Sequence, residues 1–301
     1  MAGSVNGTFL HTRRFLSYHR DRFDDRSLVI TGSKGQLRGV LPAAVVPGRP
    51  STVLSHPGLS YGGIVHDGSL RGQVMLSVFE TIAAHYRGEG FETIRYRAIP
   101  SIYHREPAAD DLYALHRLQA TRYRCDLSAT VDLQARRPVS HGRRTGLARA
   151  TKVGVLVTDE WDEAVGAFWE ILAGNLKRHD ATPTHSLEEI ETLHRLFPDD
   201  IRLLVARLDG DVVAGTVIFD TGRVSHTQYL ASSDAGREAA ALDPVIDEAL
   251  QRAERLGCRY LDFGISTEDE GRCLNDGLQT FKLSFGAGAV VFEHFEIGLA
   301  P

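Results

Sequence analysis

Lys282 lies in the run Leu274-Asn-Asp-Gly-Leu-Gln-Thr-Phe-Lys-Leu-Ser-Phe-Gly-Ala287, one position from an apolar stripe of Leu274, Leu278, Phe281 and Phe285. That spacing predicts a short helix stopped by Gly286. A lysine so placed must either snorkel outward or point its ammonium into a cleft. In a cleft it could stabilise the oxyanion that forms when a carbonyl is attacked. Upstream, Asp262 sits at the end of a predicted strand, Arg259–Gly264, on one face with Tyr260 and Gly264. Carboxylates at such strand ends commonly face a ligand crevice. Asp262 could therefore take a proton from a substrate or orient one, with a plain capping role as the alternative.

Three further places carry residues fit for chemistry. On the strand Val224–Leu230, simple alternation puts Thr227 and Tyr229 on one face, His226 and Gln228 on the other. Tyr229 could protonate a leaving group or simply be packed with its hydroxyl satisfied. His179 and His185 flank Pro183 in a loop before a capped helix, which suits general-base work or phosphate binding as well as a surface role. His56 and Tyr61-Gly62-Gly63 form a glycine-rich corner where backbone could approach a ligand closely, or merely turn tightly. There is no H-E-x-x-H or other clustered ligand spacing, so no metal is expected, and the absence of G-x-S-x-G argues against a serine hydrolase.

A basic segment stands apart. Between Asp132 and Asp159 no acidic residue occurs, yet Arg136, Arg137, Arg143, Arg144, Arg149 and Lys152 do. Several fall on a predicted helix over 142–152. The alternatives are a solvated helix face and a surface for a phosphate-rich partner, whose binding would weaken with salt.

The elements that must position these residues occur twice. In the second half a hairpin, 203–210 and 212–218, turns at Asp209-Gly210 and is followed by the strand 224–230. A helix capped by Asp243 with Pro244 as its first residue comes next, and then the strand 259–264. In the first half a hairpin over 28–30 and 37–41, a strand near 61–65, a helix from about 70 to 87 and a strand over 93–97 give the same order, displaced by about 170 residues. Strands expected at 112–118 and 123–133 bridge the halves. A helix over 160–176 and another opened by the capping box Ser186-Leu-Glu-Glu189 follow. Two similar α/β domains, 1–135 and 136–301, are expected.

This order, together with F-K-x-x-F-G after a strand ending in D-F-G, resembles the Gcn5-related N-acetyltransferase (GNAT) fold in its doubled, Fem-like form. The resemblance covers most of the chain and is strongest at Ser55–Gly63, Lys177–His185 and Asp262–Gly286. It implies tandem GNAT-like domains with mixed, mostly antiparallel sheets flanked by helices. It also implies an acyltransferase that moves an activated acyl or aminoacyl group onto an amine without a permanently bound cofactor. Lys282 would contact phosphate or the tetrahedral intermediate, and His56, Tyr61, Gly62, Gly63, His179, Ser266 and Asn275 would hold substrate. The acceptor would be an amine-bearing small molecule, or a cell-wall or natural-product precursor. One departure matters: where acetyl-CoA users carry Q/R-x-x-G-x-G/A, this chain reads Ser232-Ser-Asp-Ala-Gly-Arg-Glu-Ala-Ala240. Asp234 and Glu238 would repel a pyrophosphate, with Arg237 as the only offset. That favours aminoacyl-tRNA over acyl-CoA or a carrier thioester as co-substrate. A non-catalytic binding protein on the same scaffold is the alternative class.

Composition is that of a soluble globular protein. The 301 residues carry a net charge of −5, and no apolar run approaches the ~20 residues of a membrane span. Three widely spaced cysteines, Cys125, Cys258 and Cys273, fit reduced thiols better than a disulfide frame, so a cytoplasmic location is expected.

Overall fold

The computed structural model describes residues 3–178 and 180–299, and His179 lies outside the described residues. In chain order the elements begin with α1 (Arg13–Leu16), β1 (Leu28–Thr31), β2 (Leu37–Leu41), β3 (Ala44–Val46), β4 (Arg49–Leu54) and β5 (Val65–His66). Then come α2 (Gln73–Gly88), β6 (Thr93–Arg97), α3 (Asp110–Arg117), β7 (Thr121–Asp132), α4 (His141–Lys152), β8 (Leu156–Asp159), α5 (Val165–Lys177) and α6 (Leu187–Leu196). The rest are β9 (Ile201–Leu208), β10 (Asp211–Asp220), β11 (Val224–Ser232), α7 (Asp234–Glu238), α8 (Leu242–Arg255) and β12 (Tyr260–Ile265). The chain closes with β13 (Thr267–Glu268), β14 (Cys273–Leu274), α9 (Asp276–Leu283) and β15 (Gly288–Gly298).

Two compact units result. The first comprises Met1–Leu127, Thr267–Leu274 and Val290–Pro301; the second comprises Ser128–Ser266 and Asn275–Ala289. The contiguous halves 1–135 and 136–301 read from sequence differ from this because β15 pairs antiparallel with β6, His294 opposite Arg97 and Gly298 opposite Thr93. The C-terminal strand thus completes the first unit.

In the second unit β11 is flanked by β10 (antiparallel) and β12 (parallel), and β12 pairs antiparallel with β7. The Asp209-Gly210 turn forms as expected: both residues have positive φ, 53° and 93°, which closes the β9–β10 hairpin tightly. One face of this sheet buries Val131, Leu204, Ile218, Leu261 and Phe263 against Val245, Ile246, Ala249 and Leu250 of α8. The opposite face packs on α5, where Gly215 leaves room for the Phe168 ring: a Cβ there would lie 2.9 Å from it. In the first unit β4 is likewise flanked by antiparallel β3 and parallel β6, with α2 between them in sequence. The repeat is real, but its central strand in the first unit is β4 and not the expected strand near 61–65.

Other expectations shift for local reasons. Residues 112–118 belong largely to helix α3, because Asp111, Ala114 and Leu115 make a buried face at helical spacing. Asp243 lies inside α8, which starts at Leu242, and does not cap it. In α9 the expected apolar stripe divides: Phe281 packs on the core and Phe285, just past the helix, is buried, whereas Leu274 and Leu278 are 45% and 39% exposed, and Gln279 and Lys282 face inward.

Candidate active site

The second unit opens between its two parallel strands. β11 and β12 are joined by three register pairs, ending at His226↔Asp262. Directly beyond, both strands gain a residue. In β11, Val217 pairs with Tyr229 but Ile218 with Thr227, which leaves Gln228 as the extra one. In β12, Asp262 pairs with Thr130 but Ile265 with Ser128, so Phe263-Gly264 bulge, with Gly264 at φ +75°. Bulges bend strands and re-aim side chains. Here they leave a wedge whose edges, 227–232 and 263–265, have no partner strand on that side among the described residues.

Three polar side chains meet at the mouth of that wedge. Asp262 is fully buried; its Oδ1 accepts from Ser128 Oγ at 2.5 Å and Thr130 Oγ1 at 2.8 Å, and its Oδ2 accepts from His226 Nδ1 at 2.9 Å. Burial would push this carboxyl up. The hydrogen bond and charge of His226 and the two hydroxyls outweigh burial and hold the carboxyl below its ordinary value. With both oxygens occupied, Asp262 is not placed to take a proton from a substrate, as its strand-end position had suggested. It instead fixes His226, whose ring keeps 16% of its side-chain surface exposed. Simple alternation sets His226 on the face opposite Tyr229, which hides it from the sequence. A histidine and an aspartate on adjacent strands were the available signal, but their register was not.

Lys282 reaches the same place from α9. Its Nζ donates to the carbonyls of Gly264 at 2.9 Å and Ile265 at 2.6 Å. It is buried, and burial pulls its pKa down to about 8 against the raising effect of Asp262. An ammonium has three protons, so one remains beyond these two carbonyls. Asn275 caps α9 by accepting from Leu278 N at 2.9 Å, and its own N–H donates to Ser266 O. Ser266 is buried, and among the described residues its Oγ has no hydrogen-bond partner, as also holds for Gln279 Oε1. Of the two expected substrate contacts, Ser266 directly follows the Ile265 carbonyl that binds Lys282, and Asn275 serves as the cap of α9.

Tyr229 is buried against Trp169, ring centroids 5.2 Å apart, and its hydroxyl accepts from His185 N at 3.1 Å and meets His185 Nδ1 at 2.6 Å. Desolvation raises its pKa, so it stays a neutral phenol. The pair locks the segment before α6 onto the sheet.

The first unit treats its own inter-strand gap differently. Past Leu54↔Arg95 the chain 55–63 turns back into the gap: Arg97 N donates to Ser55 Oγ, Gly62 N to Arg97 O, and the Arg97 guanidinium to Leu59 O. His56, at φ 58°, is packed on His19 and Phe23, and burial drops its pKa to about 4. Tyr61 is buried on Tyr103. A Cβ on Gly62 would lie 1.9 Å from Ser55 O, and one on Gly63 2.9 Å from Tyr96 Oη. The two glycines make room for protein, not for a ligand. Among the described residues no returning segment enters the gap of the second unit in this way; side chains meet its edges instead, Lys282 at Gly264 and Ile265 and Asn175 and Arg237 at Ser232.

The basic candidates divide. Arg143 pairs with buried Asp243 at 2.8 Å and stacks on Phe281 and Phe285, Arg136 pairs with Glu254 at 3.3 Å, and Arg144 donates to Val139 O. Arg137, Arg149 and Lys152 are exposed. In the 232–240 segment Ser233 Oγ accepts from Gly236 N, Ser233 O accepts from Arg237 N, and Arg237 is paired with Asp234. Those two amides are spent internally, and a carboxylate stands at the turn where it opposes an anion. Among the described residues no group of three or more His, Cys, Asp or Glu could hold a metal ion, and no helix is long and apolar enough to cross a membrane.

Residues 134–282 match the family described as an acetyltransferase (GNAT) domain. Among solved structures the chain is similar to FemX, with 14% identity, 98% of this chain and 93% of that chain covered, and a TM-score of 0.71. It is also similar to L-PGS from Bacillus licheniformis, with 13% identity, coverage of 92% and 85%, and a TM-score of 0.63. The C-terminal domain of a putative lysylphosphatidylglycerol synthetase from Agrobacterium fabrum gives 13% identity, coverage of 90% and 84%, and a TM-score of 0.61. No curated protein matches the sequence.

Proposed function

Since residues 134–282 form a GNAT domain in a chain of the Fem-like fold, and the protein is therefore an acyltransferase, we propose that it transfers an aminoacyl group from aminoacyl-tRNA to an acceptor amine. The observation that carries the donor assignment is the segment 232–240, where Ser233 takes the Gly236 and Arg237 amides and the first turn presents the Asp234 carboxylate. That carboxylate opposes a nucleotide pyrophosphate. Exposed Arg137, Arg149 and Lys152 are available to RNA phosphates. FemX and L-PGS share the fold at low identity and lend it context.

In this reading the aminoacyl ester enters the wedge between β11 and β12, whose edges have no partner strand on that side among the described residues. Lys282 holds the strand end at Gly264 and Ile265 and offers its remaining N–H to charge developing on the carbonyl oxygen. The amine attacks directly: a C–N bond forms, the ester C–O bond breaks, and the terminal ribose hydroxyl leaves. The reacting groups need only be held together, which lowers much of the barrier.

The test is parallel incubation with labelled aminoacyl-tRNA and with labelled acetyl-CoA over a broad amine panel. Amide product from charged tRNA alone is expected. Product from acetyl-CoA alone would overturn the donor assignment.

A further inference from the structure

We propose that His226 is the general base of this reaction, with Asp262 as the residue that positions it, an assignment that rests on the acyl-transfer reading of the same wedge. An amine attacks only as the neutral species and must shed a second proton as the amide forms, so a base within reach of the attacking nitrogen is required. Asp262 cannot be that group, being sealed beneath Ser128, Thr130 and His226. An ionised carboxylate only accepts, so the Nδ1 facing it carries the proton and Nε2 keeps its lone pair. Nε2 makes no protein hydrogen bond among the described residues.

The ring is aimed by a missing side chain. A Cβ on Gly264 would lie 3.2 Å from His226 Cε1 and 3.9 Å from Nε2, so the edge bearing Nε2 rests over this glycine. The carbonyl of the same glycine binds Lys282 Nζ. Base and cation thus converge on Gly264, at the point where β12 bulges away from β11. The charged and titratable groups around the ring are Asp262 from β12, Lys282 from α9, Tyr229 from its own strand, and His185 on Tyr229. Phe219 lies opposite it on β10. In the step itself His226 Nε2 takes the proton of the attacking nitrogen as the C–N bond closes. It then returns that proton to the departing ribose oxygen, so charge and protons balance without another reactant.

The experiment follows transfer from the active donor across pH in wild type, His226→Gln, His226→Ala and Asp262→Asn, with thermal melting to check folding. We expect His226→Gln to lose on the order of 100- to 1000-fold in kcat with donor KM changed little, a loss in the range general-base catalysis supplies. Added imidazole should restore part of the His226→Ala rate, and Asp262→Asn should move the acid limb of the profile. A folded His226→Gln with wild-type kcat and profile overturns the assignment. Independently of turnover, the 15N shifts of the His226 ring should report an Nδ1–H tautomer; an Nε2–H tautomer overturns it even if the variants fail to fold. If wild type transfers from no donor, the acyl-transfer reading falls, while the ring measurement still judges the dyad.

Discussion

His226 and Tyr229 are three residues apart on one strand and project from the same face of the sheet. His226 lies opposite Phe219 and Tyr229 opposite Val217, two positions on β10 that share a side. The extra residue at Gln228 causes this, and it sets the histidine that meets Asp262 on the side where Tyr229 anchors His185.

Gly264 should tolerate no side chain. At φ +75° an alanine is strained, and its Cβ would press on the His226 ring. Gly264→Ala should cost about 1–3 kcal/mol in stability, from strain of that order. It should reduce transfer more than tenfold. Urea unfolding beside kcat measurement checks both, and an unchanged kcat would break the link between Gly264 and the ring.

Lys282 should leave a signature in alkaline stability. Its folded pKa of about 8 lies below the ordinary 10.5, so the unfolded chain holds the extra proton between those values. Stability tied to this group is therefore fully present above about 10.5 and lost as pH falls through about 8. Wild type should gain stability relative to Lys282→Met between pH 8 and 10. A constant difference in urea midpoints across that window would contradict the burial effect.

His56 should act in the acid range. Its pKa is lowered from 6.5 to about 4 by burial, first, and by His19, so it folds neutral. Its contribution is present above pH 6.5 and lost as pH falls through about 4. His56→Asn keeps a residue type suited to φ 58° but cannot titrate, so it should flatten the stability loss between pH 6.5 and 4.5. Chemical denaturation at those two pH values decides it.

The arginines should separate into structural and surface groups. Arg143→Ala leaves Asp243 buried without its partner and should destabilise by about 3 kcal/mol, the low end for such pairs because Arg143 is 31% exposed. Arg149→Glu with Lys152→Glu should change stability by less than about 0.5 kcal/mol. That double variant should weaken tRNA binding and flatten its salt dependence. Filter binding over a salt series, beside thermal melts, tests the division.

The sequence by itself carried the periodicities, because local patterns follow from backbone geometry: the Asp209-Gly210 hairpin, the Ser186 cap, the α8 stripe and the doubled order of elements were all readable there. It also named Lys282 and Asp262. Only tertiary structure decided what those two face. Strand alternation is a period-two rule that one inserted residue reverses, and nothing in Thr227-Gln228-Tyr229 announces a bulge. The facing of α9 was likewise hidden: Phe281 and Phe285 pack on the core as their spacing predicts, but Lys282 and Gln279 are inward while Leu278 is exposed. Lys282 turns inward because the carbonyls of Gly264 and Ile265 wait inside for the ammonium. Partners distant in sequence set these choices, through Ser128 and Thr130 on Asp262 and through β15 returning to β6. A linear pattern records which face a residue prefers, and the fold decides what stands opposite it.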